Sequence, residues 1–176
     1  MALPFRLYLA GPAGCGKTAV AEALGLRHGL RCVSLGDACR AECRRLCWPE
    51  DRAALQAAGD RLRCGDPAGV LRAAGALDFP GPLVVDGVRL AAEGFLLRDR
   101  GFLGVRVDAP AAVRAARLAA RDGSAAVPDH PTEREAVPAD IWLYNAGTDP
   151  EALGRAVPLL AASLALHEAG VGRGRA

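Results

Sequence analysis

The sequence predicts an α/β fold in which helices cover both faces of a parallel sheet. Two observations carry this prediction. Strand-like and helix-like segments alternate along almost the whole chain, as they do in β-α-β units. Residues 83–86 (LVVD) also form a continuous run of the kind found in strands buried on both faces. The 176 residues, 51% of them hydrophobic and 24% charged, fit one globular domain over residues 1–176.

The strands are assigned from short apolar or alternating segments. Phe5–Ala10 alternates and leads into a glycine-rich turn, and Arg31–Ser34 is a short second strand. Leu83–Asp86 is the third strand, and Phe102–Val107 and Ile141–Tyr144 are the fourth and fifth. The sequence therefore predicts five strands separated by helical segments.

The helices are assigned from helical periodicity and from the residues at their ends. Gly29 ends the first helix, Pro49 stops the second, and Pro110 opens a later one at its first turn. Asp149 and Pro150 supply the N-cap and first position of the last helix. The helices predicted before it are Lys17–His28, Asp37–Trp48, Glu50–Arg63, Pro67–Ala74, Leu90–Arg100 and Pro110–Arg121.

Composition and charge exclude several classes of protein. The net charge of +2 is too small for an electrostatic nucleic-acid binder, and no apolar run is long enough to span a bilayer. No signal peptide is recognisable, so we expect a cytoplasmic protein without a nucleic-acid or membrane partner. Cys39, Cys43 and Cys47 recur every four residues, which indicates a buried helix face and not a zinc site.

Residues 11–18 (GPAGCGKT) carry the strongest motif in the chain, G-x-x-x-x-G-K-[ST], the P-loop signature. At this composition the pattern arises by chance about 5 times in 10,000. Of 22 basic residues Lys17 is the only lysine, and it lies in this motif. Backbone N–H groups of such a loop bind phosphate oxygens, and the following helix adds its dipole. The alternative is a glycine turn between a strand and a helix.

The motif predicts ATP and Mg²⁺ as cofactors. Lys17 would bridge the β- and γ-phosphates, and the Thr18 hydroxyl would hold Mg²⁺. The other predicted cofactor-binding residues of the loop are Gly11, Ala13, Gly14, Cys15 and Gly16. The absence of an N-K-x-D motif disfavours a GTPase, and the chain is too short for an AAA-type motor with an extra helical domain. A small kinase fits this length.

Residues 34–42 (SLGDACRAE) resemble the acceptor-site segment of adenylate-kinase-like nucleoside monophosphate kinases. Later segments are similar to phage-type deoxynucleoside monophosphate kinases, and dephospho-coenzyme A kinases share much of the layout. These segments are Leu55-Gln56, Gly59-Asp60, Val85–Arg89 with Glu93, Arg117–Arg121, His130–Glu133 and Asn145–Gly147. The resemblance spans about residues 5 to 160. It implies a three-layer P-loop NTPase fold with sheet order 2-3-1-4-5, an acceptor-binding region at about 35–75 and a short lid at about 122–139.

The predicted acceptor site joins acidic and basic side chains. Asp86, at the end of the third strand, would hold Mg²⁺ or the acceptor, unless it is a turn or N-cap residue. Arg89, Arg40 and Arg63 would bind an acceptor phosphate, Arg89 in a bidentate fork unless it is a solvated helix-start arginine. Asp37 would be the general base for a hydroxyl acceptor, which an ionised monophosphate does not need, or simply an N-cap.

The predicted lid begins in a helix with an arginine stripe. Arg114, Arg117 and Arg121 fall at i, i+3 and i+7. Arg117 and Arg121 are predicted catalytic residues that neutralise charge on the transferred group, although a solvated basic face is the alternative. They lead into Gly123–Ala139, a polar, proline-rich loop longer than most connections. Asn145 and Gly147 resemble the segment that packs around the donor adenine.

Three functions remain open on the sequence alone. The favoured one is transfer of the γ-phosphoryl group of ATP to a nucleoside or deoxynucleoside monophosphate, giving the diphosphate. The second is a kinase of a hydroxyl acceptor, such as dephospho-coenzyme A, a nucleoside or a small metabolite. The third is a nucleotide-binding regulator without efficient catalysis. We expect a small-molecule nucleotide acceptor as partner and a monomer or homodimer.

Overall fold

A computed structural model describes residues 6–122, 136–147 and 156–166. The strands are β1 (Arg6–Ala10), β2 (Arg31–Ser34), β3 (Leu83–Val88), β4 (Leu103–Asp108) and β5 (Ile141–Tyr144). The helices are α1 (Lys17–His28), α2 (Leu35–Arg45), α3 (Arg52–Arg63), α4 (Ala68–Ala73), α5 (Ala91–Asp99), α6 (Ala111–Asp122) and α7 (156–166). The predicted start of the last helix at Asp149-Pro150, residues 123–135 of the predicted lid, and with them His130 and Glu133, lie outside the described residues.

The five strands form one all-parallel sheet in the order β2-β3-β1-β4-β5, which confirms the predicted fold class and sheet order. Parallel strands all end at the same edge of the sheet, so the loops that follow them meet there. Asp86 of β3 pairs in register with Leu9 of β1 and with Ser34 of β2. It therefore lies between the glycine-rich loop after β1 and the first turn of α2.

A core cluster covers each face of the sheet. Along β1, Tyr8 and Ala10 belong to the cluster under α2, α3 and α4, whereas Leu7 and Leu9 belong to the one under α1 and α7. This alternation is what a strand buried on both faces requires. Cys39 and Cys43 lie in the first cluster, as predicted.

The structure corrects the predicted start of the second helix. α2 begins at Leu35 and not at Asp37, because the Ser34 side chain is the N-cap and accepts a hydrogen bond from the Asp37 N–H at 3.2 Å. The N-cap alternative for Asp37 is therefore wrong. α3 likewise begins at Arg52, after the N-cap Asp51, and not at Glu50.

The end of α2 also differs from the prediction. The helix stops at Arg45, and Cys47 follows in the left-handed region with φ 55°. The Cys47 and Trp48 N–H groups donate to the carbonyls of Arg44 and Cys43, at 3.1 and 2.9 Å, which is a Schellman ending. Cys47 is therefore exposed, and its predicted place on the buried stripe was wrong.

The described end of the predicted lid, residues 136–139, packs against the core. Val137 is buried in the cluster that contains Tyr8. The Tyr8 hydroxyl donates to the Pro138 carbonyl at 2.6 Å, and burial raises the pKa of Tyr8 to about 12. Among the described helices, none is long and apolar enough to cross a membrane.

Candidate active site

The loop between β1 and α1 is fitted tightly around two glycines with left-handed backbone. Gly14 has φ 77° and Gly16 has φ 97°. A Cβ atom on Gly14 would lie 2.7 Å from the Arg114 carbonyl oxygen, and one on Gly16 would lie 2.4 Å from the Asn145 Nδ2 atom. A side chain at either position would therefore strain the backbone and displace a neighbour. Gly16 is also the N-cap of α1, so the helix begins at the loop.

Lys17 is the first residue of α1 and is only 8% exposed. Its ammonium group donates to the Gly11 and Pro12 carbonyls at 2.8 and 2.9 Å, and Cys15 Sγ lies 3.7 Å away. Carbonyl oxygens thus hold this buried charge inside the loop, as a buried cation requires. A concave backbone with one ammonium group is an arrangement suited to phosphate oxygens.

Thr18 and Asp86 meet beside the loop. The Thr18 hydroxyl donates to Asp86 Oδ2 at 2.7 Å, and Asp86 is 6% exposed. The buried Asp86 Oδ1 has no hydrogen-bond partner among the described residues. Mg²⁺ is a hard cation that prefers oxygen ligands, so a hydroxyl and an unsatisfied carboxylate oxygen fit it.

The surroundings of Asp86 differ from the prediction in one respect. β3 continues to Val88, so Asp86 lies inside the strand and not at its end. The register with β1 shifts at this point, because Leu9 pairs with Asp86 and Ala10 with Val88, leaving Gly87 as an extra residue. The N-cap alternative for Asp86 is wrong, since Leu90 occupies that position of α5.

Arg117 ties the loop to the segment after β5. Its guanidinium donates to the carbonyls of Gly14 and Cys15 at 3.2 and 3.3 Å, and to that of Gly147 at 2.6 Å. The Asn145 side-chain amide also donates to the Cys15 carbonyl, at 2.9 Å. The half-buried Arg117 therefore does not belong to a solvated basic face. These contacts bring it together with the predicted adenine-side residues.

Arg121 lies in the last turn of α6, and its side chain is exposed. It lies one helical turn after Arg117, at the C-terminal end of α6 that precedes residues 123–135. Its predicted role at the transferred phosphoryl group stays a prediction.

The acceptor-side residues form two separate groups. Arg40 Nη1 donates to Asp37 Oδ1 at 2.7 Å, and both side chains are largely exposed on α2. The second group surrounds the Cys39 thiol: burial raises the pKa of Cys39, and the charges of Arg63 and Arg89 lower it. Arg63 and the backbone of Arg89 lie together, because both donate hydrogen bonds to the Glu93 side chain. Arg40 is instead paired with the candidate base Asp37.

Glu93 is the residue of this region to which the sequence reasoning gave no role. It is fully buried, and its Oε1 atom accepts a hydrogen bond from Arg63 Nε at 2.7 Å. Its position three residues after the N-cap Leu90 is a weak signal on its own, because Leu90 has no side-chain acceptor to complete a capping box. Its partner stands 30 residues earlier in the chain.

Comparisons with known proteins agree with this architecture. A family model described as an AAA domain matches residues 7–137. No curated protein matches the chain significantly. Among solved structures, a shikimate kinase from Aquifex aeolicus vf5 aligns with TM-score 0.59 and 17% identity, over 94% of this chain and 99% of that protein.

Two further structures align over almost their whole length. A gluconokinase from Sinorhizobium meliloti 1021 has TM-score 0.56 and 19% identity, over 95% of this chain and 99% of the other. A shikimate kinase from Bacteroides thetaiotaomicron has TM-score 0.57 and 14% identity, over 91% and 98%. At these identities the likeness shows a shared fold.

Proposed function

Because the chain belongs to the AAA domain family and carries a P-loop on a kinase-like fold, we propose that it is an ATP-dependent kinase. The proposed reaction is transfer of the γ-phosphoryl group, with Mg²⁺, to a nucleoside or deoxynucleoside monophosphate. The observation that carries the acceptor class is that Arg63 and the backbone of Arg89 are both hydrogen-bonded to Glu93, which joins two arginine-bearing segments.

The donor side of the proposal rests on three contacts. Lys17 is held inside the loop, Thr18 is bonded to Asp86, and Arg117 joins the loop to Gly147. We propose that Lys17 binds the β- and γ-phosphates of ATP, and that Arg117 lies at the adenine side of the site with Asn145 and Gly147. Thr18 and Asp86 would hold Mg²⁺, which when bound would neutralise negative charge on the phosphates.

The acceptor side favours an anionic acceptor. Guanidinium groups bind phosphate through paired, charge-assisted hydrogen bonds. Glu93 joins two arginine-bearing segments here, through Arg63 Nε and the Arg89 backbone N–H. The carboxylate best placed in the sequence to act as a base, Asp37, is already paired with Arg40 at 2.7 Å. An ionised phosphate needs no base, so the pairing of Asp37 with Arg40 does not impede transfer to a monophosphate.

The transfer itself asks mainly for positioning and charge neutralisation. An oxygen of the acceptor phosphate attacks the γ-phosphorus, the bond from that phosphorus to the β,γ-bridging oxygen breaks, and ADP leaves with the electron pair. Lys17 neutralises charge on the donor, and Arg63 and Arg89 hold the acceptor. We assign Arg121 to the phosphoryl group that is transferred.

A hydroxyl-acceptor kinase is the second candidate, favoured by the names of the gluconokinase and shikimate kinases that share the fold. In that case Asp37 would have to leave Arg40 and take the hydroxyl proton. Asp37→Asn separates the two: it should reduce turnover by orders of magnitude for a hydroxyl acceptor and far less for a monophosphate.

A coupled ADP-release screen tests the proposal. The acceptors are all common ribo- and deoxyribonucleoside monophosphates, and the comparison set holds nucleosides, dephospho-coenzyme A, gluconate and shikimate. We expect at least one monophosphate to stimulate release well above the water background. Stimulation by a hydroxyl compound alone would favour the second candidate, and tight ATP binding without stimulation would indicate a nucleotide-binding regulator.

A further inference from the structure

Glu93 is a fully buried carboxylate in the first turn of α5. Taking an ionised carboxylate out of water is costly unless its oxygens receive hydrogen bonds and an opposite charge lies beside it. Its place in a first helical turn lowers that cost, because the helix dipole favours negative charge there. A simple helix cap, however, would work at the surface, so complete burial calls for a further explanation.

The two carboxylate oxygens of Glu93 have different partners. Oε1 accepts from Arg63 Nε at 2.7 Å, and Oε2 accepts from the backbone N–H groups of Arg89 and Leu90 at 3.1 and 3.2 Å. One carboxylate thus joins the last turn of α3 to the turn between β3 and α5. Each of the two segments carries one of the arginines predicted to bind the acceptor.

Arg63 is confined from other sides as well. Its Nη1 atom lies 2.8 Å from the place where a Cβ on Gly59 would be, so the guanidinium rests on a position that lacks a side chain. Nη1 is also 3.5 Å from Asp60 Oδ1, and the Arg63 side chain is 12% exposed. Nη2 has no hydrogen-bond partner within the described part of the chain. Glu93 therefore fixes the Nε edge and leaves the outer end of the group to a ligand.

We propose that Glu93 is the positioning residue of the acceptor site, which holds Arg63 and the backbone of Arg89 so that both guanidinium groups meet one phosphate of the acceptor. This inference rests on the proposed function for the identity of the acceptor. Glu93 itself does not touch the acceptor. Its effect is to fix the arginines before binding, which lowers the conformational cost of holding the anion.

The proposal predicts the opposite sign from simple electrostatics. If Glu93 only weakened the positive field of the site, Glu93→Gln would tighten binding of an anion. If it positions Arg63, the same change weakens binding, because the Gln amide has only one oxygen. Either its NH₂ group faces the Arg63 Nε–H, so that two donors meet, or it faces the backbone N–H groups and leaves them without an acceptor. Displacement of a positioning group by about 1 Å can cost about 100-fold.

The test compares Glu93→Gln with Glu42→Gln. Glu42 is a matched control, since it also accepts from arginines, Arg45 and Arg61, and also links helices of the acceptor region. With the best acceptor from the screen, we expect Glu93→Gln to raise the acceptor KM about 10- to 100-fold, with the ATP KM unchanged within about 2-fold. Glu42→Gln should change neither. An unchanged or lower acceptor KM in Glu93→Gln overturns the proposal.

A binding measurement separates this inference from the proposed function. Inorganic phosphate is titrated into ¹⁵N-labelled protein while the Arg63 Nε–H and Arg89 backbone N–H signals are followed by NMR. In the wild type both signals should move with one dissociation constant, and Glu93→Gln should weaken it about 10-fold or more. Absence of any shift in the wild type overturns the inference, whereas binding without an acceptor in the kinase screen overturns only the proposed function.

Glu93→Asp serves if Glu93→Gln does not fold. It keeps the charge and the dipole interaction but is one methylene too short to reach both segments. We expect a folded protein with a lowered melting temperature, because the buried carboxylate loses part of its pairing. The acceptor KM and the phosphate affinity should change as for Glu93→Gln. Wild-type acceptor KM and phosphate affinity in a folded Glu93→Asp protein would contradict the positioning role.

Discussion

Replacing Gly16 by alanine tests how closely the loop is fitted to its neighbours. A left-handed φ of 97° costs an L-residue about 1–2 kcal/mol. The new Cβ would lie 2.4 Å from Asn145 Nδ2, whereas ordinary contact begins at 3.4 Å. Asn145 must then leave the Cys15 carbonyl, and a buried amide N–H group without its acceptor costs about 1–3 kcal/mol.

The sum is about 2–5 kcal/mol of lost stability, or a fall in Tm of about 4–20 °C for a chain of this length. Gly29→Ala is the control, because Gly29 also has positive φ (71°) but a Cβ there meets no atom within 4 Å. We expect it to lose only the backbone part, about 1–2 kcal/mol, with ATP affinity unchanged. Scanning calorimetry gives both Tm values, and ATP titration gives the affinities. Equal losses in both variants, with ATP binding intact in Gly16→Ala, would refute the reasoning.

Two further predictions concern charge. Asp86→Asn keeps an acceptor for the Thr18 hydroxyl but removes the negative charge. We expect a wild-type Tm, and we expect the Mg²⁺ concentration needed for half-maximal kinase activity to rise about 100-fold. An unchanged Mg²⁺ concentration would argue against a metal role for Asp86. The hydrogen bond from Arg45 holds the pKa of Glu42 at about 2, below its usual 4.5. A depressed folded pKa stabilises the fold above about pH 4.5 and loses that contribution as pH falls toward 2, so the Tm difference between wild type and Glu42→Gln should shrink over that range; a constant difference would contradict it.

Local patterns were sufficient to predict much of the fold. α1, β2 and β5 have the predicted bounds, because glycine or a short apolar run delimits each of them. The order of the strands agreed with the family resemblance. The bounds of α2 were wrong, because Ser34 competes with Asp37 for the capping position and Cys47 adopts a left-handed conformation that no pattern indicates.

The candidate site was predictable only where it is local in sequence. Residues 11–18 carry their chemistry in one motif, and the structure gives them a strand before and a helix after. Arg117 was assigned to a lid, but its carbonyl partners Gly14 and Cys15 stand more than 100 residues away. The role of Glu93 was not predicted for the same reason, since it depends on Arg63. Contacts of this kind are set by packing and not by spacing.

Phosphorus NMR of a reaction with ATP, Mg²⁺ and the best monophosphate acceptor tests the central claim most directly. We predict new β-phosphate signals of the acceptor diphosphate in amounts equal to the ADP formed, and their absence in Lys17→Met, which lacks the loop's ammonium group. ADP accompanied only by inorganic phosphate, or product formation by Lys17→Met at the wild-type rate, would contradict the account.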